Sequence, residues 1–222
     1  MANLLPSVVV ENNGQPDAAV IWLHGLGSDG HDFESLVPAL TLPENLSIRF
    51  VFPHAPIRPV TVNGGMEMRA WYDIYEMNIE RKVDSANILE SCESIEALIE
   101  DQIRQGISAE RIILAGFSQG GVIAYQTALT TKHKLAGVLA LSTYLADESV
   151  VPDASDCVNG EIPFVIHHGS LDPVVPPVLA EKARSVLAAK GFTISSKDYE
   201  MPHSVCPEQV GDISRWVTEN LA

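Results

Sequence analysis

Seven short apolar runs, separated by stretches of helical period, constrain this chain most: SVVVE (7–11), AAVIWL (18–23), SIRFVFP (47–53), RIILAGF (111–117), LAGVLALS (135–142), IPFVIHHG (162–169) and FTISSKDYE (192–200). Four of them are almost continuously apolar, the mark of strands covered on both faces of a mostly parallel sheet. The first reads as an antiparallel edge. Between the runs lie helical patterns. In the clearest, from about 84 to 105, Ile88, Cys92, Ile95, Ile99 and Ile103 form one stripe while Glu90, Glu93, Glu96, Glu100 and Asp101 lie off it, and Gly106 marks the stop. Further helices are predicted at 31–40, 119–131, 177–190 and 205–220, the last with a stripe of Val210, Ile213, Trp216 and Val217. Strand–helix alternation of this kind predicts a doubly wound α/β fold of three layers, a mostly parallel central sheet with helices on both faces. The length of 222 residues suits one domain over 1–222. Residues 53–83 carry the longest stretch without a clean pattern, and so long a loop in a compact domain is usually functional.

Composition excludes several classes. With a net charge of −15, the chain is repelled by nucleic acid and by anionic membrane surfaces. No apolar stretch approaches the roughly 20 residues that cross a bilayer, so no integral membrane association is expected. The opening MANLLPSVVVENN lacks the basic and long apolar regions of a signal peptide. Three cysteines, Cys92, Cys157 and Cys206, without a CxxC pair argue against a disulfide framework or a zinc site and point to a reducing, cytoplasmic setting.

One junction carries chemistry. In ILAGFSQGGVIAY the strand ends near Ala115, a helix begins near Gln119, and Ser118 occupies the turn between them. Gly116-Phe117-Ser118-Gln119-Gly120 matches G-x-S-x-G, the nucleophile elbow. The flanking glycines let neighbouring backbone approach a strained serine, and the helix start offers N–H donors to a developing oxyanion. The simpler reading is a helix-capping serine.

A serine hydroxyl needs a base, and the base needs an orienting carboxylate. Elbow hydrolases present them in the order serine, acid, histidine. His203, in MPHSV between the last strand and the last helix, is the candidate base; His167 and His168 lie in a strand ahead of the following acid and would break the order. Asp172, in HHGSLDPVVP, is the candidate acid; Asp198 lies inside a strand close to His203, and Asp147, Asp153 and Asp156 read as solvated loop acids. The early loop WLHGLGSDGHDF supplies the other half of an oxyanion hole, so the candidate donors are the N–H groups of Leu26 and Gln119, with His24 shaping the loop. Gly25, Gly27 and Gly30 lack the Lys-Ser/Thr of a phosphate loop.

Taken together, VIWLHGLGSDGHDF, FPHAPIRPVTVNGGMEMRAWYD, ILAGFSQGG, HGSLDPVVP and MPHSV resemble the small carboxylesterases of the acyl-protein thioesterase and lysophospholipase family, from about residue 18 to the C-terminus. The resemblance implies an α/β-hydrolase fold, a Ser118–Asp172–His203 triad, the Leu26 and Gln119 oxyanion hole, no metal or other cofactor, and in some members a homodimer. It implies ester substrates from short-chain carboxylic esters to lysophospholipids and S-acylated proteins. Residues 64–79 resemble the segment along the family's acyl site. Met66, Met68, Trp71 and Tyr72 are the candidate acyl contacts, because flexible Met and flat aromatics suit a greasy chain; Asp73 reads as structural. One departure is Leu171, bulkier than the family's usual small residue before the acid. Amide or lactone hydrolysis on the same triad and a non-catalytic binding role are the competing readings.

Overall fold

The computed structural model describes residues 4–77 and 81–222. Its strands are β1 (Ser7–Glu11), β2 (Ala18–Leu23), β3 (Ile48–Pro53), β4 (Ile57–Val60), β5 (Met66–Arg69), β6 (Ile112–Phe117), β7 (Gly137–Leu141), β8 (Phe164–Gly169) and β9 (Ile194–Tyr199); its α-helices are α1 (Ser85–Arg104), α2 (Gln119–Thr130), α3 (Pro177–Ala189) and α4 (Pro207–Leu221). Seven strands form one sheet in the order β1-β3-β2-β6-β7-β8-β9. The pairing is parallel throughout except at β1, which runs antiparallel to β3 at the edge, as its position and sequence suggest.

The inner strands of the main sheet bury both faces because their residues alternate between two apolar layers. In β2, Ala19, Ile21 and Leu23 face one core and Ala18, Val20 and Trp22 the other. The first core is closed by α1, α2 and α3, through residues such as Ile95, Ile123 and Leu187. The second is closed by α4, through Val210, Ile213, Val217 and Leu221, and by Phe33, Val37 and Leu40. Helix α1 starts where the Asp84 side chain accepts the Asn87 N–H at 2.9 Å and stops before Gly106, whose φ of 97° ends it in the left-handed region. Its predicted stripe is the buried one: Ile88, Cys92, Ile95 and Ile99 all face the core.

Two expectations are corrected. The helix predicted at 31–40 is a 3₁₀ stretch, Glu34–Ala39, with Pro38 inside it. Proline supplies no N–H and obstructs the preceding turn, so an α-helix cannot run through that position. The segment 53–83 is not structureless either: β4 and β5 form an antiparallel hairpin in which Val60 faces Met66 and Ile57 faces Arg69. Its turn is made by Gly64 and Gly65, at φ 68° and 77°. Asp73 has the structural role read for it, since its carboxylate accepts the Thr61 N–H at 2.7 Å and the Thr61 hydroxyl at 2.6 Å and so clips the hairpin turn.

Candidate active site

Ser118 sits between β6 and α2 with φ 53° and ψ −119°, a combination that a side chain with a Cβ adopts only under strain. Hydrogen bonds on both sides hold it there. Its N–H donates to the Leu141 carbonyl at 2.9 Å, and its own carbonyl accepts the Gly121 N–H at 3.0 Å and the Thr143 hydroxyl at 2.6 Å. The glycines make the turn possible. A Cβ on Gly116 would lie closer than 3.0 Å to the Gly120 backbone, and a Cβ on Gly120 would meet the Leu23 and His24 carbonyl groups equally closely. These absences let α2 begin against the end of β2 and bring the early loop to the serine. A Cβ on Gly25 would stand 3.5 Å from the Ser118 Cβ.

The structure gathers the other two candidates to the same end of the sheet. Asp172 follows β8 and is buried, 4% exposed. Its Oδ1 accepts the N–H groups of Val174 and Val175 at 2.8 and 2.9 Å, and its Oδ2 lies 2.6 Å from His203 Nδ1. Burial pushes the carboxyl pKa up, but the bonds from His203, Val175 and Val174 outweigh it and leave Asp172 below its ordinary value. An ionised carboxylate only accepts, so Nδ1–H is the donor and the lone pair of the neutral ring is on Nε2. The His203 ring packs on Phe117, the residue before the serine, with centroids 4.6 Å apart. Gly169 permits this approach: a Cβ there would lie closer than 3.0 Å to the carbonyl oxygens of Met201 and Pro202, on the loop that carries His203. Leu171, for all its bulk, is 61% exposed and leaves the acid uncrowded.

The rival groups are engaged elsewhere. Asp198 pairs with Arg184 at 3.0 Å on β9. His167 packs edge-on against Tyr199, and burial pushes its pKa down to about 4. His24 shapes the early loop: its Nδ1–H donates to the Gly25 carbonyl at 2.7 Å and its Nε2 accepts the Ala55 N–H at 3.1 Å. With one ring nitrogen donating and the other accepting, the ring is neutral, and burial lowers its pKa accordingly.

The loop that carries Leu26 is fixed from β5, because the Gly27 N–H donates to the Arg69 carbonyl at 2.9 Å. Neither the Leu26 nor the Gln119 N–H has an acceptor among the described residues. Met68 reaches this loop: a Cβ on Gly27 would stand 3.7 Å from its sulfur. Met66 is 64% exposed on the same strand. Trp71 and Tyr72 lie deeper. Both are completely buried, so the exposed apolar surface beside the loop is that of the methionines. Trp71 Nε1–H donates to the His24 carbonyl at 2.9 Å, so the indole supports the early loop, while the Tyr72 hydroxyl meets that of Tyr144 at 2.8 Å. Sequence reasoning missed the side chain of Gln119, which accepts the Trp71 N–H at 2.8 Å and donates to the Tyr72 carbonyl at 2.7 Å. It also missed Thr143. Gln119 fills a position that the elbow motif leaves open to any side chain, and Thr143 has no fixed offset from the serine.

The family model described as phospholipase/carboxylesterase matches residues 5–221. The chain belongs to this family. It is therefore an enzyme of the serine esterase and thioesterase type, on the α/β-hydrolase fold. Among the relatives of this phospholipase/carboxylesterase chain is acyl-protein thioesterase 1 of Neurospora crassa, 38% identical over 97% of this chain and 92% of the relative. Acyl-protein thioesterase 1 of Cryptococcus neoformans is 37% identical over 92% of each. Among solved structures, acyl-protein thioesterase 2 of Zea mays superposes with a TM-score of 0.86 at 26% identity, covering 98% of this chain and 99% of that one. SOBER1 of Arabidopsis thaliana gives 0.85 at 28% identity, over 92% and 99%.

Proposed function

We propose that this esterase hydrolyses carboxylic esters and thioesters by a Ser118–His203–Asp172 relay through an acyl-enzyme. The observation that carries the reading is the 2.6 Å bond from His203 to a buried Asp172, with the imidazole packed on the residue that precedes a strained Ser118. In the first step His203 Nε2 takes the Ser118 proton as Oγ bonds to the substrate carbonyl carbon, and the carbonyl oxygen becomes an oxyanion. The N–H groups of Leu26 and Gln119, which have no acceptor among the described residues, are the donors we assign to it. The C–O or C–S bond then breaks, and His203 returns its proton to the leaving alkoxide or thiolate. Water repeats the sequence on the acyl-serine and frees the acid. Asp172 stabilises the imidazolium formed in each half-reaction. Side chains, backbone amides and water supply every group the reaction uses.

Met66 and Met68 are proposed as the acyl contacts. Family relatives that carry the thioesterase name make an S-acylated protein a natural substrate beside small esters. Three free cysteines, Cys92, Cys157 and Cys206, support a reducing, cytoplasmic site of action. No helix among the described residues is long and apolar enough to cross a membrane.

The test compares wild type and Ser118→Ala on p-nitrophenyl acetate, butyrate, octanoate and palmitate, with fluorophosphonate labelling in parallel. The expected loss in kcat is on the order of 10⁶, together with loss of the label. A variant that keeps most of the activity removes Ser118 from the reaction.

A further inference from the structure

His168 lies one residue from the end of β8 and is completely buried. Its Nε2 is 2.8 Å from the Val175 carbonyl oxygen. A carbonyl only accepts, so the proton is on Nε2. Nδ1 is then a bare lone pair, buried and without a hydrogen-bond partner among the described residues. The ring is the neutral Nε2–H tautomer, and burial, which lowers its pKa, agrees with that. Asp172, Arg184 and Asp198 are the charged groups that act on it.

Val175 is the residue whose own N–H holds Asp172 Oδ1. One peptide step therefore separates the carboxylate's hydrogen bond from the imidazole's. The same Nε2 stands 3.7 Å from Asp172 Oδ2, the oxygen that receives the His203 proton donor. On the other side of the turn, Arg81 donates to the Val174 carbonyl. Both amides that grip Asp172 thus belong to residues whose carbonyls are themselves held.

We propose that His168 is a positioning residue for the acid: by holding the Val175 carbonyl, its Nε2–H fixes the 172–175 turn so that Asp172 presents Oδ2 to His203. This rests on the Ser118–His203–Asp172 reading of the site. A loosened turn weakens the carboxylate's stabilisation of the imidazolium, so the acid limb of the rate profile moves to lower pH.

The experiment measures kcat and KM for p-nitrophenyl butyrate across pH for wild type, His168→Leu, His168→Gln and His168→Asn, with melting temperatures alongside. His168→Leu is expected to lose about 10–100-fold, by analogy with the range seen for residues one hydrogen bond behind a metal ligand. The loss should lie in kcat, with the acid limb displaced. His168→Gln, whose amide can place a donor near the position of Nε2, should recover most of the activity and the limb. His168→Asn, whose donor falls nearer to Nδ1, should not. If His168→Leu fails to fold, the Gln and Asn pair decides. A folded His168→Leu with wild-type rate and limb overturns the proposal, as does a Gln variant no better than Asn. Asp172→Asn in the same series separates the two readings. If it stays active the triad itself falls; if it is inactive while His168→Leu matches wild type, only the role of His168 falls.

Discussion

The carboxyl edge of the sheet and the β4–β5 hairpin meet at the early loop, and they are built in opposite ways. Ser118 and Asp172 follow the buried parallel strands β6 and β8, His203 follows the edge strand β9, and the backbone around them is tied by hydrogen bonds and close glycine contacts. Met66 and Met68 stand on two short strands outside the main sheet, with Ile57 and Met66 more than half exposed. A two-stranded unit is marginal by itself. This one is held by the Asp73–Thr61 clip and by the Gly27–Arg69 bond. The difference amounts to a division of labour in the proposed reaction: the geometry around Ser118, Asp172 and His203 is over-determined by the core, while the acyl selection we propose for Met66 and Met68 rests on a unit held by few bonds.

The largest effect should fall on the rigid side. Asp172→Asn is expected to lower kcat on the order of 10⁴ while leaving KM nearly unchanged. It also carries a pH signature. The folded pKa of Asp172 is depressed below 3.8, so its contribution to stability is present above the unfolded value and is lost as pH falls through the folded one. Denaturant titrations should therefore show a constant gap between wild type and Asp172→Asn from neutral pH down to about pH 4, closing only below it. A gap that closes between neutrality and that point would mean that the carboxylate is not held as described.

Next is Gly169→Ala. A methyl there would overlap the Met201 and Pro202 carbonyls, and neither is a flexible side-chain end. The expected cost is about 3 kcal/mol of stability, with activity lost as the His203 loop is pushed from Asp172. Wild-type stability and rate in this variant would show that the loop yields easily, and the contrast with the hairpin would weaken.

How much of this was legible in the sequence follows the same division. The main-sheet strands, α1 to α4 and the three gathered residues could be read from continuous apolar runs, a helical stripe and glycines at strand–helix turns. Those signals are strong because buried elements leave little freedom of residue type. The 3₁₀ stretch at Glu34–Ala39 was hidden by its apolar spacing, although Pro38 marks it. The hairpin was hidden because its strands are only four residues long and partly exposed, so apolar alternation hardly registers; Asn63-Gly64-Gly65 was its one turn signal. Trp71 and Tyr72 read as acyl contacts because flat aromatics suit a greasy chain and their segment resembles the one along the family's acyl site. Burial depth is a tertiary property, and the chain turns inward after Arg69.

A smaller effect is expected on the hairpin. Met68→Ser and Met66→Ser should lower the ratio of kcat/KM for octanoate over acetate by about tenfold, the scale of one or two apolar groups in a binding site, and leave the acetate rate and melting temperature near wild type. If the ratio holds in both variants, acyl selection lies elsewhere, and the hairpin is a support for the Leu26 loop alone. If acetate turnover falls as well, the two regions are less separate than their construction indicates.

The smallest effect probes the strain at Ser118 itself. Ser118→Ala and Ser118→Gly should both be inactive, yet they should differ in stability. At φ 53° and ψ −119° any Cβ is crowded, and alanine keeps it while glycine does not. Glycine also loses more backbone freedom on folding, about 0.5–1 kcal/mol relative to alanine, against a strain of roughly 1–3 kcal/mol for such a backbone. The balance favours glycine by about 1 kcal/mol, measurable as a shift in the denaturant midpoint with an unchanged slope. The Leu141, Gly121 and Thr143 bonds to the residue 118 backbone persist in both variants, so the comparison isolates the Cβ. Equal stability would mean that the turn relaxes once the serine is gone, and the rigid edge would then owe part of its rigidity to the serine it presents.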